Sequence, residues 1–315
     1  MYNFIIITGP TGVGKTELSL KLALNLDTEI ISADSMQIYK GLDIGTAKIS
    51  SKEKQIVNHH LIDICELQDN YTVKNFRDDA FNIISKLNHD NKLALVVGGT
   101  GLYLNSLIYN LDFSDTKSNE NLRNSLISKS NKYGNDYLYN LLLEIDPNII
   151  KKIHKNQTKR IIRALEVYYQ TGKLFSELND YEFKLRDDVN FLIFQLDRSR
   201  DIIYKRINER VSIMLNQGLI EETLNLVKSG YRKDIERIKA IGNKEVLYYL
   251  DGLLSYSELE EFIQKNTRHY AKRQLTWFKR YENRQIINLD DNSVDTNVEK
   301  IIKIIRGKYE QPFFK

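Results

Sequence analysis

Near the start of the chain, Gly9, Pro10, Thr11, Gly12, Val13, Gly14, Lys15 and Thr16 satisfy the pattern G-x-x-x-x-G-K-[ST] at every fixed position. The run before them, FIIIT at residues 4–8, is apolar and β-branched and stops at a Gly-Pro. After them, Leu18, Leu22 and Leu26 stand four apart, the spacing of one helical face. Strand, glycine loop and helix in that order make a phosphate cradle. The glycines let the backbone wrap an anion with successive N–H groups aimed inward, and the helix start adds its positive dipole end. Lys15 brings a point charge to a terminal phosphate, and the Thr16 hydroxyl suits Mg²⁺. The motif predicts a bound diphosphate or triphosphate. It does not say which reaction follows.

Further short apolar strands are expected at residues 29–32, 93–97, 191–196 and 285–289, with helix-length segments between the early ones. Strand–helix–strand alternation predicts a parallel sheet covered by helices. Residues 119–171 show amphipathic helical pattern and no strand. The expected architecture is therefore α/β: a P-loop parallel-sheet core carrying an inserted all-helical domain. The expected boundaries are 1–115 for the first part of the core, 116–188 for the insertion and 189–315 for the rest, ending in helices. The tail after Gly307 is expected to fray.

Composition narrows the class. Hydrophobic residues at 42% and charged residues at 28% suit a globular chain, and a net charge of +4 does not by itself demand a nucleic-acid partner. One cysteine, Cys65, excludes a disulfide framework and a multi-cysteine zinc site. The opening MYNFIIITG lacks a signal peptide's basic region, and no run reaches the roughly 20 apolar residues of a membrane span. A cytoplasmic, soluble enzyme is expected.

Two loops qualify the cradle. ATP-hydrolysing P-loop proteins place an Asp at the end of another strand to help hold Mg²⁺. Here the strand at 93–97 ends in Gly98, Gly99, Thr100 and Gly101, a hydroxyl among glycines. After the strand at 29–32 comes Asp34, followed by Ser35, Met36 and Gln37. Carboxyl ends of parallel strands share one rim, so Asp34 is expected to face the cradle as a general base. The bland alternative is that Asp34 or Ser35 caps a helix.

At this point the residues carry a resemblance. GPTGVGKT, ISADSMQIYKGLDIGTAK, HHLIDI, VVGGTGLY, RIIRALEVY and AKRQLTWF, in this order, resemble the tRNA dimethylallyltransferase family over nearly the whole chain. There are three departures: Asn58 stands where the family usually has proline, Lys155 follows His154 where it usually has proline, and Asn243 replaces a usual aromatic. They bear on local tRNA contacts more than on the chemistry. The resemblance implies transfer of a dimethylallyl group from dimethylallyl diphosphate to an exocyclic adenine amine, at the adenosine 3′ of the tRNA anticodon. It also implies that Thr100 and Arg123 contact the target nucleotide.

On that reading Asp34, Thr100 and Lys15 are the catalytic candidates. Asp34 takes the amine proton, while Lys15, the P-loop amides and Mg²⁺ on Thr16 stabilise the departing diphosphate. Gln37 is placed to read an adenine edge or, equally, to face solvent. Two basic runs suggest a clamp on an RNA loop. One runs through Lys151, Lys152, His154, Lys155, Lys159, Arg160 and Arg163 with only Glu166 opposing it. The other comprises Arg268, Lys272, Arg273, Lys279, Arg280 and Arg284, interleaved with His269, Tyr270, Trp277 and Tyr281. Cations with aromatics suit unpaired RNA. Asp34, Ser35, Met36, Gln37, Thr100, Arg123, Lys159, Arg160, Arg163, Lys239, Lys244, Lys272, Arg273 and Trp277 are the expected tRNA contacts, on a protein acting as a monomer. His59, His60 and Cys65 read as structural, and Tyr168 and Tyr169 as core or interface residues. The rival readings are a P-loop kinase of a small-molecule or nucleotide substrate and a non-catalytic RNA-binding protein. The first leaves the basic helices and GGTGLY without purpose, and the second leaves Asp34 without one.

Overall fold

A computed structural model of the protein describes residues 1–111, 119–177, 184–309 and 313. The chain divides into two compact units, one formed by Met1–Ile108 with Arg186–Lys315 and the other by Tyr109–Leu185.

The larger unit begins with β1 (Tyr2–Thr8), α1 (Lys15–Asn25), β2 (Ile30–Ser32), α2 (Ser51–Ile56), β3 (His59–His60), α3 (Val73–His89), β4 (Ala94–Val97) and α4 (Gly101–Ile108). The smaller unit follows with α5 (Glu120–Tyr133), α6 (Asn135–Ile145), a 3-10 turn at Pro147–Lys151 and α7 (Thr158–Thr171). The larger unit then resumes with β5 (Val189–Asp197), α8 (Arg200–Asn216), α9 (Leu219–Lys228), α10 (Arg232–Ile238), α11 (Asn243–Leu250), α12 (Tyr256–Phe278), β6 (Gln285–Asn288) and α13 (Val294–Lys308).

The strands form one parallel sheet in the order β3-β2-β4-β1-β5-β6. Phe4, Ile5, Ile6 and Ile7 of β1 are all fully buried, which is why the strand reads as unbroken apolar sequence rather than alternation. Each such side chain contributes about 1.5–3 kcal/mol by leaving water. On one face Ile5 and Ile7 pack with Leu18 and Leu22 of α1 and with Val298, Ile301 and Ile305 of α13. Helix α3 packs against β1 and β4. Register aligns Ile7 with both Val97 and Phe194, and Val97 with Ser32. The carboxyl ends of β2, β4, β1 and β5 therefore emerge at one level, which places their loops side by side.

The smaller unit has its own core, built from Leu126, Leu138, Leu142, Ile149, Ile153, Ile161 and Leu165. Its bounds, 109 and 185, lie a few residues before the 116 and 188 expected from sequence. Among the described residues no helix is long and apolar enough to cross a membrane.

Three local expectations are corrected. The two-residue edge strand β3 was not anticipated, because so short a run carries no periodicity. Residues 308–309 of the tail do not fray: α13 continues to Lys308, and Tyr309 is buried with its hydroxyl donating to Phe4 O and Asn190 O, 3.0 Å each, while 310–312 and 314–315 lie outside the described residues. Tyr169 is exposed, so of its two readings, core or interface, the core one falls.

Candidate functional site

The cradle hangs between β1 and α1. Gly14, at φ +112°, forms the N-cap of α1, a conformation an L side chain resists. Lys15 folds back so that its ammonium donates to Gly9 O at 2.8 Å and Pro10 O at 3.0 Å. Burial brings that ammonium down to about 8, with the Asp34 carboxylate pulling the other way and Arg210 reinforcing the fall. Thr16 is exposed on the first turn of α1.

Neighbouring elements brace the loop. Arg206 of α8 donates to Gly12 O at 2.7 Å. Arg198, after β5, donates to Val13 O at 2.9 Å and is paired with Asp290 at 2.8 Å. Gln274 of α12 accepts from the Thr11 amide at 2.8 Å and donates to Gly99 O at 3.0 Å, so one buried amide joins the loops after β1 and β4. None of these braces was foreseen. The spacing of Arg206 and Arg210, four apart on the helix after a core strand, was the one available signal.

Strand β4 lies between β1 and β2, so the loop after it separates the cradle from Asp34. Gly98 packs so tightly on the Ala33 backbone that a methyl group there would meet Ala33 O at 2.2 Å. The Thr100 amide donates to Ala33 O at 3.1 Å, and its hydroxyl accepts from the Ser35 amide at 3.0 Å and donates to Ser35 Oγ at 3.3 Å. Gly98 thus lets the loop after β4 approach the loop after β2 closely.

Asp34 accepts from the Met36 amide at 2.9 Å in a tight turn over residues 34–36. No helix starts there: residues 35–38 form a turn, and the next helix, α2, is capped by Ser50. The helix-cap alternative is therefore excluded. The negative charge of Asp34 acts on Lys15 of α1, Tyr103 of α4, Arg210 of α8 and Tyr270 of α12. Burial depresses the Arg210 guanidinium, which Asp34 opposes. Burial raises the Tyr270 phenol, with Asp34 adding to the rise and hydrogen bonds to Thr100 and Gln274 opposing it. Gln37 is half-buried in the turn, donating to Thr46 O at 3.3 Å and accepting from Ser32 Oγ at 3.3 Å.

The second basic run divides once folded. His269, Lys272, Arg273, Thr276, Trp277 and Arg280 line a crevice of about 450 Å³ along one face of α12. Lys272 and Arg273 are exposed. Trp277 is half-buried, its indole donating to Asn105 Oδ1 at 3.4 Å and the Arg280 guanidinium lying 5.0 Å from its ring. Tyr281, by contrast, is core, with its hydroxyl on Asn105 Oδ1 at 2.7 Å. Arg268 is turned inward to Asn208 at 2.6 Å, and Arg284 to the Tyr281 carbonyl at 2.7 Å. Lys239 is exposed at the end of α10, and Lys244 lies with its ammonium 5.9 Å from the Tyr248 ring centre.

In the smaller unit, Glu166 is fully buried and draws in two cations, Arg123 at 2.7 Å and Arg163 at 3.4 Å. Lys159 is exposed, and Arg160 donates to Gln157 at 3.3 Å. His60 pairs with Glu29 at 2.5 Å and His59 with Val57 O at 2.7 Å, both on the sheet edge. Cys65 is buried, which pushes its thiol up. Asn58 bonds Glu29 at 2.8 Å, and Asn243 is fully buried on α11.

Comparison with known proteins completes the geometry. The family model described as IPP transferase matches residues 37–281. A tRNA dimethylallyltransferase of Alkaliphilus oremlandii is 45% identical over 306 residues, 97% of either chain. The crystal structure of a full-length tRNA isopentenylpyrophosphate transferase from Bacillus halodurans is similar at TM-score 0.72 and 38% identity, covering 98% of this chain and 97% of that one. A eukaryotic dimethylallyltransferase, solved acting on tRNA, is similar at TM-score 0.82 and 30% identity, covering 99% of this chain and 81% of that one. A cradle braced by arginines, a carboxylate beyond the intervening strand and a match along nearly the full length of such enzymes agree: the chain belongs to the tRNA dimethylallyltransferase family.

Proposed function

We propose that this protein transfers the dimethylallyl group of dimethylallyl diphosphate to the N6 amine of the adenosine 3′ of the anticodon in tRNA, with release of diphosphate. The observation that supports this reading best is the placement of Asp34: its turn follows β2, is joined through Ser35 to Thr100 after the intervening β4, and its charge acts on Lys15 of the cradle.

The amine nitrogen forms a bond to C1 of the donor as the C1–O bond to diphosphate breaks. Conjugation with the ring makes that nitrogen a weak nucleophile, so a base accepting its proton in the transition state accelerates the step. Asp34 is that base. Negative charge gathers on the departing diphosphate, where Lys15, Arg206, Arg210 and the loop amides are pre-set to receive it. Thr100, held by Ser35, offers its hydroxyl beside Asp34, and Gln37 reads the adenine edge. No phosphoryl group moves, so the P-loop serves as a diphosphate binder.

Magnesium fits this donor set. Mg²⁺ keeps several waters and takes few protein ligands when phosphates are present, so the exposed Thr16 hydroxyl would be enough to hold it beside the diphosphate. When bound it supplies positive charge to the leaving group. For the RNA, exposed cations on α12 (Lys272 and Arg273), Lys159, Arg160, Lys239 and Lys244 grip phosphates. Trp277 offers a ring for stacking, and Arg123 and Arg163 are presented from Glu166. An adenine within a structured loop leaves its stack to react. The protein works as a cytoplasmic monomer.

The test is direct. The protein is incubated with dimethylallyl diphosphate, Mg²⁺ and unmodified tRNA, and the digested RNA is searched by mass for prenylated adenosine. The expected product carries one dimethylallyl group, with diphosphate released and added ATP unconsumed. ATP consumption without a prenylated nucleoside would overturn the proposal in favour of a kinase.

A further inference from the structure

The loop at residues 41–48 follows the Asp34 turn, and it is held by an acid 170 and more residues away in sequence. Glu222, on α9, accepts from three consecutive backbone amides: Asp43 at 2.9 Å and Ile44 at 2.7 Å on one oxygen, Gly45 at 3.2 Å on the other. The second oxygen also accepts from the buried Asn243 amide at 3.0 Å, which in turn donates to Thr223 Oγ1 at 3.1 Å. Successive amides converging on one anion form a nest, here filled by the chain's own carboxylate. Packing leaves no slack: a methyl group on Gly45 would stand 2.0 Å from Asn243 Oδ1. The far end of the loop is clamped by Lys48, its side chain 3% exposed, through Asp43 and Asp63 at 2.6 Å each.

What the nest holds in place is the next residue. The Thr46 carbonyl accepts from Gln37 at 3.3 Å and from Arg210 at 3.5 Å. Gln37 belongs to the turn that begins at Asp34, and Arg210 is a cation on which Asp34 acts and which acts in turn on Lys15 of the cradle. One carbonyl thus ties together a group on the side of the base and a group on the side of the diphosphate. Residue 46 sits immediately after the three amides that Glu222 gathers, so the carboxylate sets that carbonyl's position.

We propose that Glu222, seconded by Asn243, is a positioning residue for the transfer reaction. By fixing the amides of residues 43–45 it places the Thr46 carbonyl, which aligns Gln37 and Arg210 for both substrates at once. The proposal rests on the function proposed above. It differs from a plain docking role for α9, which would affect stability and leave the kinetics of the folded enzyme alone.

The discriminating variant is Glu222→Gln, which keeps size and replaces one acceptor oxygen with an NH₂ that cannot accept. Hydrogen exchange at the amides of 43–45 should accelerate about tenfold, the loss of one such hydrogen bond. KM for tRNA and for dimethylallyl diphosphate should rise together, each by about tenfold, below the melting range of the variant. Glu222→Asp, which keeps the charge, should recover part of both constants. If Glu222→Gln fails to fold, Asn243→Ser removes a single donor from the same carboxylate and should move the same two constants by less. Lost melting temperature with unchanged KM values would overturn the proposal, as would unchanged exchange at 43–45. Absence of transfer in the unmodified protein would sink the function proposed above instead, and the exchange measurement would still decide whether Glu222 holds the loop.

Discussion

The loops at the strand ends and the exposed face of α12 both carry positive charge, yet they are built on opposite terms. At the strand ends each of these cations is already engaged: Lys15 on Gly9 O and Pro10 O, Arg206 on Gly12 O, Arg210 on Thr46 O. On α12, Lys272 and Arg273 are exposed around an open crevice, Arg273 lying 5.6 Å from the centre of the Tyr270 ring. Groups fixed before the substrate arrives need no reorganisation when charge develops, which suits a transition state. Exposed, long side chains can follow a phosphate backbone whose position varies, which suits a large RNA. The smaller unit shows an intermediate case, since the buried Glu166 sets Arg123 and Arg163 while Lys159 stays exposed.

The largest effect should come from the strand ends. Asp34→Ala removes the proposed base and should slow single-turnover transfer by about 10²–10⁴-fold, with dimethylallyl diphosphate still binding. A near-normal single-turnover rate would take the base role away from Asp34. On the α12 face, Lys272→Ala and Arg273→Ala should weaken tRNA binding and leave single-turnover chemistry at saturating RNA intact. Each should flatten the salt dependence of tRNA affinity by about 0.7–1 in log–log slope. Should either substitution instead lower the saturated rate, the division between the two regions would be wrong. The smallest effect concerns pH. Burial lowers the Lys15 ammonium to about 8. Since a diphosphate favours the protonated form, its affinity should be level below that pH and decline above it, by at most about tenfold per pH unit. Calorimetric titration of dimethylallyl diphosphate across this range is the check, and affinity rising above pH 8 would contradict the placement of Lys15.

Much of the fold was legible because it is written locally. Four of the strands, β1, β2, β4 and β5, stand out as apolar runs, since both faces of the inner sheet are covered and no alternation dilutes the signal, while the edge strand β6 shows only its paired isoleucines. The P-loop is legible for a related reason: its pattern lies within eight consecutive residues. The carboxylate at Asp34 could be placed on the same rim because parallel strands share their carboxyl ends. Legibility ended where charge had to be assigned to surface or interior. Arg268 and Arg284 look the same in sequence as Lys272 and Arg273, yet the first two satisfy internal acceptors. Tyr281 and Trp277 are four apart on paper, and only one of them reaches the crevice.

By itself the sequence determined a glycine-rich loop between a strand and a helix, a parallel sheet and an acid after its second strand, and its blocks resemble one family along nearly the whole chain. Those features depend on neighbouring residues, so spacing and side-chain type are enough to specify them. The tertiary structure alone decided what holds the site in shape. Gln274 meets the Thr11 amide across 263 positions, and Glu222 gathers the amides of 43–45 across 177–179. Contacts of that separation exist only once packing has brought α9 and α12 to the strand ends, because a buried amide must find its partner wherever the fold supplies one.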